Sequence, residues 1–149
     1  TNKKTIVSAG DFQSKTEKKN LVVGLTEMIS FSNNNSKLIL DARSYKRFTG
    51  EAEEPRPGLL SGHIPNSMSF PSSELVADDG LLKSIEELEK IFSNYDINKS
   101  ERIIATCGSG VSACVIAVAL HCLGRKDVPI YDGSWTEWAS SGQKIKTGI

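Results

Sequence analysis

Cys107 is the residue whose surroundings suggest chemistry. It follows the apolar run RIIAT at 102–106 and opens the segment CGSGVS, which leads into the apolar stretch SACVIAVALHCLG at 112–124. A strand, a glycine turn and a helix in that order would place the thiol beyond the carboxyl end of a strand. That is where open α/β sheets bind their ligands. Gly108 and Gly110 let the backbone curl so that its N–H groups converge on one point, and such a nest at a helix N-terminus favours an anion. The anion can be the sulfur itself, so the thiol is expected to ionise near neutral pH. Gly108, Ser109, Gly110, Val111 and Ser112 then form the active-site loop.

Two kinds of reaction use such a cradle. Phosphate-monoester hydrolysis pairs the cysteine with an arginine six residues on, but Ala113 stands there, and residues 108–121 contain no Lys or Arg. A dianionic phosphate would lack its planar, bidentate partner. Sulfur transfer asks only that backbone donors hold a thiolate and then its persulfide. The other candidates read as structural. No CxxC pair occurs, and His63 and His121 lie far apart, so neither a metal site nor a cofactor is expected. His63, in GHIP, shapes a turn, and His121 sits in the core or at its edge. Cys114 and Cys122 read as core thiols, and three cysteines make no disulfide framework, which suits a reducing compartment. Asp41 and Arg43 form a structural pair at a strand end.

These residues need elements to position them. The chain has 149 residues, one domain's worth, with no sign of repeats. Eighteen Lys and Arg balance eighteen Asp and Glu, which argues against nucleic-acid or membrane-surface binding driven by bulk charge. No apolar run is long enough to span a bilayer. The chain opens on Thr1, as a processed or trimmed product would, and residues 1–20 read as a short strand at Ile6 and Val7 and then a flexible, Lys-rich, linker-like connection around 15–19. A helix is expected over 21–31, with Leu21, Leu25, Met28 and Ile29 on one face. Strands are expected at 37–41, 67–70, 102–106 and 128–131. Short helices are expected at 42–48 and after Gly133. Ser84 and Glu87 make a capping box that opens a helix striped by Ile85, Leu88, Ile91 and Phe92, with Glu86, Glu89 and Lys90 facing water. The helix after the cysteine loop is apolar nearly all round and is expected to be buried, ending at Gly124. Residues 51–66, with Pro55, Pro57, Pro65, Gly58 and Gly62, make a long irregular excursion of the kind that carries function. Strands alternating with helices imply an α/β domain around a mainly parallel central sheet, with helices on both faces.

The segments LILDARS, RFTGEAEEPRPGLLSGHIPNSMSFP, TCGSGVSA and YDGSWTEW resemble, in order and spacing, the catalytic C-terminal half of a two-domain rhodanese-type sulfurtransferase. The neutral loop CGSGV resembles the 3-mercaptopyruvate branch more than the thiosulfate branch, whose loop carries an Arg-Lys pair after the cysteine. The resemblance implies a rhodanese-like fold and a sulfane sulfur moved from mercaptopyruvate, or thiosulfate, through a Cys107 persulfide. It assigns Arg47 and Arg56 to the donor's carboxylate and keto group. It makes Ser109 a catalytic residue acting on the departing enolate, with a histidine and an aspartate from a preceding N-terminal rhodanese-like domain. Trp135 and Trp138 are implied packing residues. The implied acceptors are a small thiol, cyanide or a protein such as thioredoxin or a sulfur-carrier protein, in the cytoplasm or mitochondrion. The alternatives are a non-catalytic interaction module and a sulfur carrier for tRNA thiolation.

Overall fold

A computed structural model describes residues 8–13, 19–34, 37–95, 97 and 102–149. The expected strand at Ile6 and Val7, and all but Lys19 of the Lys-rich connection, lie outside them. Five strands form the sheet: β1 (Val22–Val23), β2 (Leu38–Asp41), β3 (Ser67–Ser69), β4 (Ile103–Thr106) and β5 (Ile130–Tyr131), in the order β1-β5-β4-β2-β3. Every pairing is parallel, and β2 and β4 run in register from Leu38 against Ile103 to Asp41 against Thr106.

Side chains on a strand alternate between faces, and the two central strands use this to build two cores. Leu40, Ile103 and Ala105 point into one, with Leu88 and Phe92 of α3 (Ile85–Phe92) and Ile116 and Leu120 of α4 (Ala113–Cys122). Ile39 and Ile104 point into the other, with Met28 of α1 (Leu25–Asn33) and Trp135 and Trp138 of α5 (Ser134–Ser140). Helices therefore cover both faces, as expected. The capping box is formed: Ser84 Oγ accepts from the Glu87 N–H, and Glu87 Oε2 accepts from the Ser84 N–H. Of the expected α3 stripe, Leu88 and Phe92 are buried, Ile91 is partly buried and Ile85 is exposed at 44%.

Two expectations are corrected. Residues 21–31 are not one helix: Val22 and Val23 pair with Ile130 and Tyr131 as an edge strand, and α1 starts only after Gly24. β-Branched residues suit a pleated edge, and glycine is a poor helix interior. The helix after the cysteine is not buried all round. α4 turns Ala113, Ile116, Ala119 and Leu120 inward but leaves Val118, His121, Cys114 and Cys122 exposed, so the core reading of the two cysteines and of His121 fails. The sheet meets α4 on one side only, and among the described residues no element covers Val118 on the far side.

The excursion after α2 (Tyr45–Thr49) contains no helix or strand from 50 to 66. Polar anchors hold it. Arg43, fully buried, binds both carboxylate oxygens of Asp41, reaches Glu54 at 2.8 Å and the Gly62 carbonyl at 2.8 Å, and lies over the Trp135 ring. The structural role expected of the Asp41–Arg43 pair is thus what the geometry shows. His63 stacks on Phe48 and pairs with Lys146 through two backbone hydrogen bonds, and the Gly148 N–H bonds the Thr49 carbonyl. The tail at 146–148 thereby straps the base of the excursion.

Candidate active site

Cys107 stands at the end of β4, with almost no exposed surface. Burial pushes its thiol up. The Ser112 hydroxyl, the N–H groups of Ala113 and Ser109 and, more weakly, the Ser134 hydroxyl outweigh that, and the net pKa is lower than that of an ordinary thiol. The N–H groups of Ser109 and Ala113 are backbone donors of the kind that the glycine turn implied; the two hydroxyls are additions that the sequence reading did not foresee. Gly110 has φ +80°, and a Cβ there would press on the backbone carbonyl and side chain of Asp132 at 3.1 Å. Only glycine fits both demands.

A second element completes the cradle. β5 lies beside β4, so the turn after it delivers the first residues of α5 to the cysteine loop. Ser134 Oγ accepts from the Cys107 N–H at 3.2 Å and the Gly110 N–H at 3.0 Å, and donates to the Tyr131 carbonyl at 2.8 Å. It sits 3.9 Å from Cys107 Sγ. The N–H groups of Trp135 and Thr136 donate to the carbonyls of Cys107 and Gly108. Ser134 is fully buried and has φ +50°, an uncommon conformation for a side-chain-bearing residue, of the kind that gathers at functional sites.

The cysteine opens on a cleft of about 260 Å³ lined by Arg47, Glu54, Arg56, Ser109, Val111 and Thr136, among others. Arg47 comes from α2. Its guanidinium binds both oxygens of Glu54, at 3.2 and 2.5 Å, and passes so close to Gly108 that a Cβ there would meet it at 2.9 Å. Arg56, on the excursion, donates to Thr136 Oγ1 at 2.7 Å, and that hydroxyl donates to the Gly108 carbonyl at 2.6 Å. Asp41 and Glu54 face Arg43 and Arg47, two charges against two, while Arg56 makes no ion pair among the described residues. The cleft wall therefore carries one net positive charge.

The predicted site residues thus converge. Cys107, the loop 108–112, Arg47 and Arg56 line one cavity or back it, and Ser109 contributes its N–H to the sulfur while standing exposed at the cleft. His63 is elsewhere, buried, with Nδ1–H donating to the Phe48 carbonyl. Trp135 and Trp138 are buried, and their indole N–H groups donate to the carbonyls of Leu60 and Lys144. Sequence reasoning missed Glu54, Ser134 and Thr136. For Ser134 the signal was a hydroxyl at the start of the helix after β5, but it means something only once β5 is known to border β4. Among the described residues, no three His, Cys, Asp or Glu side chains cluster as metal ligands.

Comparison with known proteins adds to this. Residues 25–141 match the family model for a rhodanese-like domain. The chain is 52% identical over 101 residues to the mitochondrial thiosulfate/3-mercaptopyruvate sulfurtransferase 1 of Arabidopsis thaliana, covering 68% of this chain and 27% of that one. It is 44% identical over 119 residues to the 3-mercaptopyruvate sulfurtransferase of Escherichia coli K12, covering 80% of this chain and 42% of that one. It superposes on the sulfur transferase subunit of yeast mitochondrial complex I with a TM-score of 0.84 at 34% identity, covering 97% of this chain and 52% of that one. The chain spans less than half the length of these two curated relatives.

Proposed function

The chain belongs to the rhodanese-like domain family, and from that premise we propose that it is a sulfurtransferase domain moving a sulfane sulfur from 3-mercaptopyruvate through a persulfide on Cys107. The observation that carries the reading is a buried thiol with lowered pKa, held by the Ser112 hydroxyl and the N–H groups of Ala113 and Ser109, facing a cleft with one net positive charge. The Cys107 thiolate attacks the donor's sulfur. The bond between that sulfur and its carbon breaks, its electron pair enters the keto group as the pyruvate enolate, and a proton from solvent or a site acid completes pyruvate. Cys107 is left as a persulfide. A nucleophilic acceptor takes the outer sulfur, and the thiolate returns. Arg56 and Arg47 meet the donor's carboxylate and keto oxygen, a task that suits a planar guanidinium.

Charge favours this donor. Mercaptopyruvate carries one carboxylate remote from the reacting sulfur, whereas thiosulfate brings a compact dianion to a thiolate that has only neutral donors around it. A non-catalytic module would have no use for such a thiol. The acceptor in this reading is a small thiol, cyanide, or a protein thiol such as that of thioredoxin or a sulfur-carrier protein. In a longer chain like the relatives', a preceding rhodanese-like domain would cover the cleft and give Ser109 its partners. No helix among the described residues is long and apolar enough to cross a membrane. The site of action in this reading is the mitochondrion, as in the names of the Arabidopsis and yeast proteins, or the cytoplasm. The test is mass spectrometry after exposure to mercaptopyruvate. The expected result is one added sulfur atom on the peptide containing Cys107, faster than with thiosulfate and absent in Cys107→Ser. Unmodified Cys107 would overturn the reading.

A further inference from the structure

Both arginines of the cleft come up to Gly108, Arg47 by close approach and Arg56 through the Thr136 hydroxyl, and they are held differently. Arg47 rests on a carboxylate that has almost no exposed surface. Arg56 is exposed, and its guanidinium donates to the hydroxyl of Thr136. Pro55 and Pro57 stiffen the backbone on either side of it, yet leave its own side chain four rotatable bonds, so an unanchored guanidinium would sample many positions over the cleft. Thr136 removes that freedom. Its N–H and its hydroxyl both donate to the Gly108 carbonyl, at 3.0 and 2.6 Å, so the hydroxyl's single proton is committed and its lone pairs are left to accept from Arg56 at 2.7 Å. The contact is therefore directional, and it fixes the guanidinium beside the residue that follows the reactive cysteine.

We propose that Thr136 is a positioning residue that sets the carboxylate subsite of the cleft, by holding Arg56 against the cysteine loop so that a short 2-oxo acid is gripped at a fixed distance from Cys107 Sγ. The carboxylate falls to the remaining N–H groups of Arg56, and the length of the Gly108–Thr136–Arg56 chain limits how far the acid's third carbon extends toward the sulfur. A residue at position 136 with no hydroxyl would let Arg56 swing and would accept longer or bulkier acids at lower affinity. This rests on the sulfurtransferase reading for its donor, but the subsite itself is defined by the carboxylate, so it is testable without turnover.

The experiment uses pyruvate, a 2-oxo acid with no sulfur to give, as a protector of Cys107 against iodoacetamide, alongside steady-state kinetics with mercaptopyruvate. In Thr136→Val the concentration of pyruvate giving half protection is expected to rise about tenfold, the order expected for losing one hydrogen bond to a charged group. The same factor should appear in KM for mercaptopyruvate far more than in kcat. Thr136→Ser should restore both, and Thr136→Ala serves in place of Val if that variant does not fold. In an Arg56→Ala background, Thr136→Val should add nothing. Protection that is unchanged by Thr136→Val, equally weakened in the Arg56→Ala background, or absent in the parent protein would overturn the proposal. Thr136-dependent protection by pyruvate with no persulfide from mercaptopyruvate would keep the subsite and discard the donor.

Discussion

Ser134 does for the cysteine loop what no backbone group does: one oxygen receives two buried N–H groups that have no other acceptor among the described residues. Removing it leaves both donors unsatisfied, at about 1–3 kcal/mol each. Ser134→Ala is therefore expected to lower stability by about 2 kcal/mol or more in chemical denaturation, and to shift the alkylation profile of Cys107 to higher pH. In the parent that profile should have its midpoint below that of a free cysteine peptide alkylated alongside. A parent midpoint at or above it would mean that the donors around the sulfur do not hold the thiolate. Cys114 and Cys122 give the opposite expectation. Both are exposed on α4, so replacing either by Ala should change stability by no more than about 0.5 kcal/mol and leave sulfur transfer intact. A loss of a kilocalorie or more would return them to the core.

At the scale of elements, what was legible was local. The capping box of α3 involves residues three apart and needed no tertiary knowledge. The strand–glycine–helix order around Cys107 was readable because chain continuity itself puts the thiol at the junction. β1 was not, because two valines become a strand only where β5, a hundred residues on, offers an edge. The exposed face of α4 was hidden for a related reason: an apolar run does not say on how many sides it is covered. Glu54 was missed because its role lies in joining two arginines from α2 and the turn before it. That joint separates Arg47 from Arg56 energetically. Arg47→Ala deprives the buried Glu54 of one of its two cationic partners and is expected to cost on the order of 1–2 kcal/mol of stability besides donor affinity. Arg56→Ala, with its side chain exposed, should weaken donor use while leaving the denaturation midpoint almost unmoved. Equal stability losses in the two variants would show that the Glu54 joint is not what distinguishes them.

For the molecule as a whole, both cores and the cleft hang on one sheet, and the excursion that carries Arg56 hangs in addition on His63 and the tail. His63 is buried against Phe48, and that burial depresses its pKa despite the hydrogen bond to the Phe48 carbonyl and the nearby Asp41. The unfolded chain therefore takes up the proton more readily. The stability His63 contributes is complete above about pH 6.5 and is lost as pH falls from there through the folded value. Thermal melts from pH 7.5 to 5 should show a decline that is shallower in His63→Gln, and an identical slope in both would remove the imidazole from the account. The strap at 146–148 has one more consequence, in the order in which the protein is made. A ribosome emits the chain from its N-terminus. The residues of the excursion leave the tunnel long before Lys146 and Gly148 do, and until that tail follows they lack the backbone bonds that close their base. The loop that carries Arg56 is thus closed by the last residues to emerge, however early its own residues were made.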